Sequence, residues 1–338
     1  MFVHALLALL QTHVPGLPEY RIANIFNPQA TPGELERHIA NLTLGITAII
    51  FVAVGALIVY TIWKFRRKPD DESQHEPPQV YGSNQIEIAW TVIPILIVFI
   101  LIGVSARVIA GIQNASPPRS TLKVRLVGHQ WWWEVQYPDL KMKTANEIHI
   151  PVNADGHTAT YLQLESQDVI HSFWVPQLAG KTDLIPNRVN YTWIDPKKTG
   201  TFFGNCAEYC GTQHANMLLR VVVQPRNDFK AWAAEQAQPA DANAQDAKVA
   251  QGKAVFESLA CINCHTVNGT IATGVFGPDL THLMSRQTIG AGVLDLNHKN
   301  LRDWVNDPQQ AKPGCLMPSM KLTDPELDQV VSYLESLH

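Results

Sequence analysis

Cys206-Ala-Glu-Tyr-Cys210-Gly-Thr-Gln-His214-Ala-Asn-Met217 puts two thiolates, an imidazole and a thioether inside twelve residues. Soft sulfur combined with imidazole selects copper or zinc. A structural zinc site wants four strong ligands and no thioether, whereas Met217 at this spacing suits a weak axial ligand of electron-transfer copper. The flanking sequence, 121–224, consists of short β-branched and aromatic runs such as Lys123-Val124-Arg125-Leu126-Val127 and Leu218 to Val223. Gly, Pro, Asn and Asp separate these runs, which reads as an all-β sandwich or barrel. A second imidazole has to come from outside the loop. His171, in Asp168-Val-Ile-His171-Ser-Phe-Trp-Val-Pro176, is the best placed by context, while His129, His149 and His157 read as surface or core residues.

Upstream, Leu42 to Trp63 is 22 residues without a charge and Ile88 to Ala106 a further 19. Each is about the length a helix needs to cross a hydrocarbon core. Pro94 in the second run is tolerable because neighbouring helices can satisfy the freed carbonyl. Lys64, Arg66, Arg67 and Lys68 abut the end of the first run. Such clusters stay cytoplasmic, so the two helices form a hairpin with its loop inside and everything after about Arg107 outside. The apolar stretch Ala5 to Leu10 is short and lacks a basic leader; a signal remnant and an ordered extracytoplasmic segment fit it equally.

Downstream, 235–248 is rich in Ala, Gln and Asp and reads as a linker. An amphipathic stretch from Gln251 then runs into Cys261-Ile-Asn-Cys264-His265, the attachment motif of c-type haem. The two thiols form thioethers with the porphyrin while the adjacent His265 reaches the iron. A zinc knuckle would need further Cys or His partners, and a redox dithiol would not need His265. The sixth iron ligand should be a soft donor downstream. Lys312-Pro-Gly-Cys-Leu-Met317-Pro-Ser-Met320 offers Met317 as first choice and Met320 as the alternative. Cys315 has no assigned role beyond a buried free thiol. A closing amphipathic helix is expected over Pro325 to Leu337.

The five cysteines fall as two close pairs among His and Met plus Cys315, a placement that favours ligation over disulfides. A net charge of -4 supplies no basic surface for phosphate, which sets nucleic acid aside. A hydrophobic content of 46% suits globular domains joined to a membrane-buried part.

Gly128-His-Gln-Trp131-Trp-Trp133, the His171-Ser-Phe-Trp-Val-Pro176 segment and the Cys206–Met217 loop together resemble subunit II of haem–copper cytochrome c oxidases, over about 40–225. The resemblance implies a binuclear copper A centre. Cys206 and Cys210 would bridge two ions, His171 and His214 bind one each, Met217 give a thioether and Glu208 a backbone carbonyl. It further implies that the Glu208 side chain helps hold a magnesium ion against subunit I, and that electrons enter the copper through Trp131, whose bland reading is core packing. Glu87 would lie at the cytoplasmic mouth of a proton channel, and Asp168 is either a docking or supporting carboxylate or a solvated turn residue. The Met317-Pro setting resembles class I cytochromes c, which makes Pro278 the carbonyl partner of His265 and Trp304 a haem-packing residue.

The whole chain is thus similar to subunit II of bacterial caa3-type oxidases, with a fused cytochrome c. The expected architecture is multi-domain: an N-terminal segment (1–35), a two-helix transmembrane hairpin (36–112), an all-β cupredoxin-like barrel (113–228), a linker (229–248) and an all-α cytochrome c domain (249–338). Electrons would pass from a cytochrome c or a quinol-oxidising complex to covalent haem c, then to copper A, then to subunit I, where oxygen is reduced with proton translocation. Subunits III and IV and membrane lipid are the other expected partners. The expected location is the bacterial plasma membrane, with both centres on the periplasmic or outer side. The electron-input subunit of a copper A nitric oxide reductase, which would share the copper loop, is the alternative; a copper-delivery protein is a third reading.

Overall fold

The structure is a computed structural model, and it describes residues 24–66, 81–113, 122–153, 159–240 and 246–338. The candidate signal remnant, Arg67, Lys68 and His157 lie outside these residues. The chain divides into two compact units, one of residues 34–115 and one comprising 1–33 with 116–338.

The first unit holds α1 (Thr31–Lys64, which begins in the other unit) and α2 (Asn84–Gln113). At 34 and 30 residues both exceed the ~20 needed to span a bilayer. Neither has a polar stripe. Ile49, Phe51, Leu57 and Ile62 on α1 and Ile93, Leu96 and Phe99 on α2 are all exposed, as expected of helices whose solvent is lipid. Pro94 is accommodated inside α2.

The second unit begins its β part with β1 (Lys123–His129), β2 (Trp132–Tyr137), β3 (Met142–Ala145), β4 (Glu147–Pro151) and β5 (Thr160–Ser166). It continues through β6 (His171–Val175), β7 (Ala179–Leu184), β8 (Asn190–Ile194), β9 (Gly200–Cys206) and β10 (Leu218–Gln224). These form two five-stranded sheets, ordered β3-β2-β1-β5-β8 and β4-β10-β9-β6-β7, with β1/β5 and β4/β10 parallel and the other pairs antiparallel. This is the expected cupredoxin-like barrel. Alternate residues of β2, β5 and β9 point inward, and Trp133, Tyr137, Leu162, Leu164 and Phe173 fill the core. Of the three consecutive tryptophans only Trp133 is buried: the pleat of β2 turns Trp132 to the other face, and Trp131 lies in the turn before the strand.

Glu134, on the outer face of β2, lies 3.3 Å from His129 Nε2 and 3.2 Å from Lys143 Nζ, and accepts from Gln136 Nε2 at 2.7 Å. Burial pushes its carboxyl up, but the bonds from His129, Gln136 and Lys143 outweigh this and hold it at about 2. A depressed carboxylate stabilises the fold above the ordinary carboxylate range and loses that contribution as pH falls towards 2. Glu134→Gln is therefore expected to cost about 2 kcal/mol at pH 7, discounted for partial exposure, and almost nothing near pH 2. Urea unfolding followed by tryptophan fluorescence at several pH values checks this. A cost independent of pH refutes it.

The expected linker is corrected at its start. Residues Arg226–Gln236 form α3, which buries Phe229, Trp232 and Ala233; Trp232 stacks on His149 with ring centroids 4.1 Å apart. Its apolar residues fall at i, i+3 and i+4, a spacing that composition alone conceals. Beyond it, 241–245 lie outside the described residues. The C-terminal part contains α4 (Ala247–Ser258), α5 (Cys261–Cys264), α6 (His298–Asn306) and α7 (Asp324–Glu335) around its own apolar core. Helices α4 and α7 cross so closely that a Cβ at Gly252 would collide with the Gln329 carbonyl. Only glycine permits this crossing.

Candidate copper loop and haem cavity

Strand β9 ends at Cys206, the next residues turn away from the sheet, and β10 resumes at Leu218, so the ligand-rich segment is a loop at one end of the barrel. Strand β6 pairs with β9 in register Phe173↔Cys206, which carries His171 to the same end. The donor atoms converge. Cys206 Sγ and Cys210 Sγ are 3.8 Å apart, His171 Nδ1 lies 4.0 Å from the former, His214 Nδ1 3.6 Å from the latter, and Met217 Sδ 3.8 Å from Cys210 Sγ. The Glu208 carbonyl oxygen is 3.1 Å from Cys206 Sγ. All six expected positions thus form one cluster; His171, Cys206, Cys210 and Met217 are buried and both cysteines are free thiols. The hydrogen bond between the two thiols favours ionisation of Cys206 and pushes the Cys210 proton loss up.

His171 is aimed by its surroundings. Asp168 Oδ1 lies 2.8 Å from Nε2, and a carboxylate there calls for a proton on Nε2, leaving the Nδ1 lone pair for the sulfur cluster. Burial pushes the His171 imidazolium down, but Asp168 and Cys206 outweigh it and raise its pKa. Asp168 also accepts from Gln130 N through Oδ2 at 2.7 Å, so this residue, exposed in a bend, is a supporting carboxylate of the site. Gly128 lies against the imidazole: a Cβ there would sit 2.7 Å from His171 Cδ2. Two bridging-capable sulfurs, two imidazole nitrogens, a thioether and a carbonyl in one largely buried cluster fit a soft copper pair.

On the helical side, a cavity of about 210 Å³ is lined by Cys261, Cys264, His265, Trp304, Met317 and Met320, among others. It is far larger than a packing defect. His265 Nδ1 is 2.7 Å from the Pro278 carbonyl, which requires Nδ1 to carry the proton and frees Nε2 as a ligand. Burial pushes the His265 pKa down, keeping the ring neutral. Gly277 packs on the ring, where a Cβ would sit 2.7 Å from Cε1. Two free thiols, a preset imidazole and two thioethers around an apolar void fit a covalently held haem.

Three residues of this region escaped the sequence reading. Gln309 donates through Nε2 to the carbonyls of Cys315 (2.9 Å) and Met317 (3.0 Å) and accepts from Gly314 N (2.8 Å), shaping the loop that carries the methionines. Cys315 is a half-buried, not buried, thiol beneath that same amide. Arg286, also buried, bonds the Asp279 carbonyl and the Thr144 hydroxyl of β3. Lys312 is buried too; desolvation pushes it down to about 7, yet its Nζ has three carbonyl acceptors, matching the three donors of the ammonium form. Only Lys312 has a sequence hint, a lone cation inside an axial-ligand loop.

Trp131 adjoins both the ligand-rich loop and the helical cavity. Its Nε1 donates to the Cys210 carbonyl at 3.0 Å, Gln130 Nε2 donates to the same oxygen at 2.8 Å, and both residues also line the helical cavity. Glu87 lies in the first turn of α2, in the other unit.

Residues 20–108 match the family described as cytochrome c oxidase subunit II, transmembrane domain, residues 140–224 its periplasmic domain, and residues 249–338 cytochrome c. Cytochrome c oxidase subunit 2 of Alkalihalophilus pseudofirmus is 35% identical over 305 residues, covering 88% of this chain and 85% of that protein. Cytochrome c oxidase subunit 2 of Bacillus subtilis is 32% identical over 326 residues, covering 90% of each. A crystal structure of the periplasmic domain of subunit II of cytochrome oxidase from Bradyrhizobium japonicum aligns at 33% identity and a TM-score of 0.34, over 36% of this chain and 96% of that one.

Proposed function

This chain belongs to the cytochrome c oxidase subunit II family and carries a fused cytochrome c domain, and from that premise we propose that it relays electrons from a covalent haem c to a binuclear copper A centre and on to subunit I. When bound, the haem and the copper pair supply one-electron carriers of soft ligation. Cys261 and Cys264 would hold the haem covalently, His265 and Met317 would supply donors to its iron, and His171, Cys206, Glu208, Cys210, His214 and Met217 would hold the copper. The observation that carries this reading is the position of Trp131, bonded to the Cys210 carbonyl while lining the haem cavity. A single aromatic residue thus adjoins the copper loop and lines the haem cavity. Asp168 fixes His171 and the Gln130 backbone, and Pro278 fixes His265.

The remaining roles belong to the assembled complex. The Glu208 side chain contributes to a magnesium site against subunit I, Glu87 lies at the entrance of a proton path, and oxygen reduction with proton translocation occurs on subunit I. Subunits III and IV complete the complex, and the electron donor is another cytochrome c or a quinol-oxidising complex. The helices anchor the chain in the bacterial plasma membrane. The Lys64–Arg66 end of α1 faces the cytoplasm and both centres the periplasmic or outer side.

Purifying the membrane complex and recording its reduced-minus-oxidised spectrum alongside oxygen uptake tests the relay. A c-type haem band, a mixed-valence copper band and oxygen consumption are expected. Consumption of nitric oxide without oxygen uptake would replace this reading with the nitric oxide reductase one.

A further inference from the structure

The copper barrel and the haem-binding part meet along a seam built largely on main-chain groups. Leu218 N donates to the Ala291 carbonyl at 3.1 Å, and Glu147 Oε1 accepts from Gln287 N, Thr288 N and Thr288 Oγ1 at 2.9, 2.9 and 3.0 Å. Arg220 Nη1 donates to Gln287 Oε1 at 2.8 Å, and Gln213 reaches the Pro313 carbonyl. At the centre of this seam lies Lys312. Its Nζ donates to the carbonyls of Trp131 (2.7 Å), Asn216 (2.8 Å) and Gly290 (2.9 Å).

These partners are not a random set. Trp131 bonds the Cys210 carbonyl and lines the haem cavity, Asn216 directly precedes the copper ligand Met217, and Lys312 itself begins the loop that presents Met317. Gly290 belongs to the haem-binding part, so the ammonium joins both sides of the seam. An unpaired charge this deep would be expelled; three carbonyls retain it. The haem cavity is also walled in part by Gln130, Trp131, Trp132 and Asn146 of the barrel. The cavity is complete only while the seam is closed.

We propose that Lys312 is a positioning residue for electron transfer, pinning the Met317 loop to the Trp131 and Asn216 backbone so that the haem part is held on the copper loop instead of swinging on its tether. The inference rests on the relay proposed above for its functional consequence, but the pin itself is a structural device. Its partners are carbonyls, so only the lysine end can be removed by substitution.

The test uses the purified full complex carrying Lys312→Met, with Lys312→Gln as a smaller perturbation and Lys299→Met, on the exposed face of α6, as the control. Haem and copper absorption should match the unmodified complex. Hydrogen exchange at the Leu218, Gln287 and Thr288 amides should rise about tenfold or more in Lys312→Met while amides inside α7 stay protected. Haem-to-copper transfer after flash reduction of the haem should slow about tenfold, with the haem potential unchanged. Lys312→Gln should fall between. Seam exchange and transfer at unmodified rates in both variants overturn the proposal. If the unmodified complex shows no haem-to-copper transfer, the relay fails, and the exchange measurement still decides the pin.

Discussion

Cys206→Ser or Cys210→Ser is expected to abolish copper loading and reduce oxygen uptake by the complex at least about a hundredfold, because each sulfur is shared by the whole cluster. Cys206 Sγ faces His171 and the Glu208 carbonyl, Cys210 Sγ faces His214 and Met217, and 3.8 Å separates the two sulfurs. A serine oxygen is harder and shorter-reaching than a thiolate, so it cannot serve two soft ions at once. Copper content measured against haem content reads this directly: haem should remain at one per chain while copper falls to background. Near-normal copper with near-normal oxygen uptake would remove these thiols from the ligand set. The supporting shell predicts a graded effect. Asp168→Asn keeps a hydrogen bond to His171 but loses its charge, so copper binding should weaken by about ten- to a hundredfold without disappearing.

Met317→Leu is expected to leave the haem covalently attached but lower its reduction potential by on the order of 0.2 V, because the thioether is what raises the potential of a His/Met haem. For a one-electron carrier, 59 mV is a tenfold change in equilibrium constant, so the haem–copper equilibrium would shift about a thousandfold. Oxygen uptake driven through the haem should fall accordingly. Met320→Leu in parallel separates the candidates, since both methionines line the cavity and Gln309 organises the loop beneath Met317 in particular. A redox titration of the haem band checks the pair. A potential drop in Met320→Leu with none in Met317→Leu would reassign the axial ligand.

Much of this site is legible in the sequence because its chemistry is local along the chain. Five of the six copper positions lie in Cys206–Met217, and three haem positions in Cys261–His265, since a single turn or loop places such donors without help from the rest of the fold. The apolar runs of α1 and α2 are equally plain, because a bilayer demands continuous hydrophobicity. The start of the expected linker misleads for the opposite reason. In Arg226–Gln236 three apolar residues on one face of a polar helix are enough to dock it, and average composition hides them.

What the sequence by itself determined is therefore the kind of chemistry and the order of the parts: membrane helices, copper barrel, haem domain. His171 needed the β6–β9 register to join Cys206, 35 residues away, although the surrounding motif pointed to it. The tertiary structure alone decided how the two centres face one another. Trp131 bonds an oxygen 79 residues distant and Lys312 one 181 residues distant, and in each case the acceptor is a main-chain carbonyl. Every residue carries that carbonyl, so nothing in the identity of Cys210, Asn216 or Gly290 announces the contact; only the path of the folded backbone does.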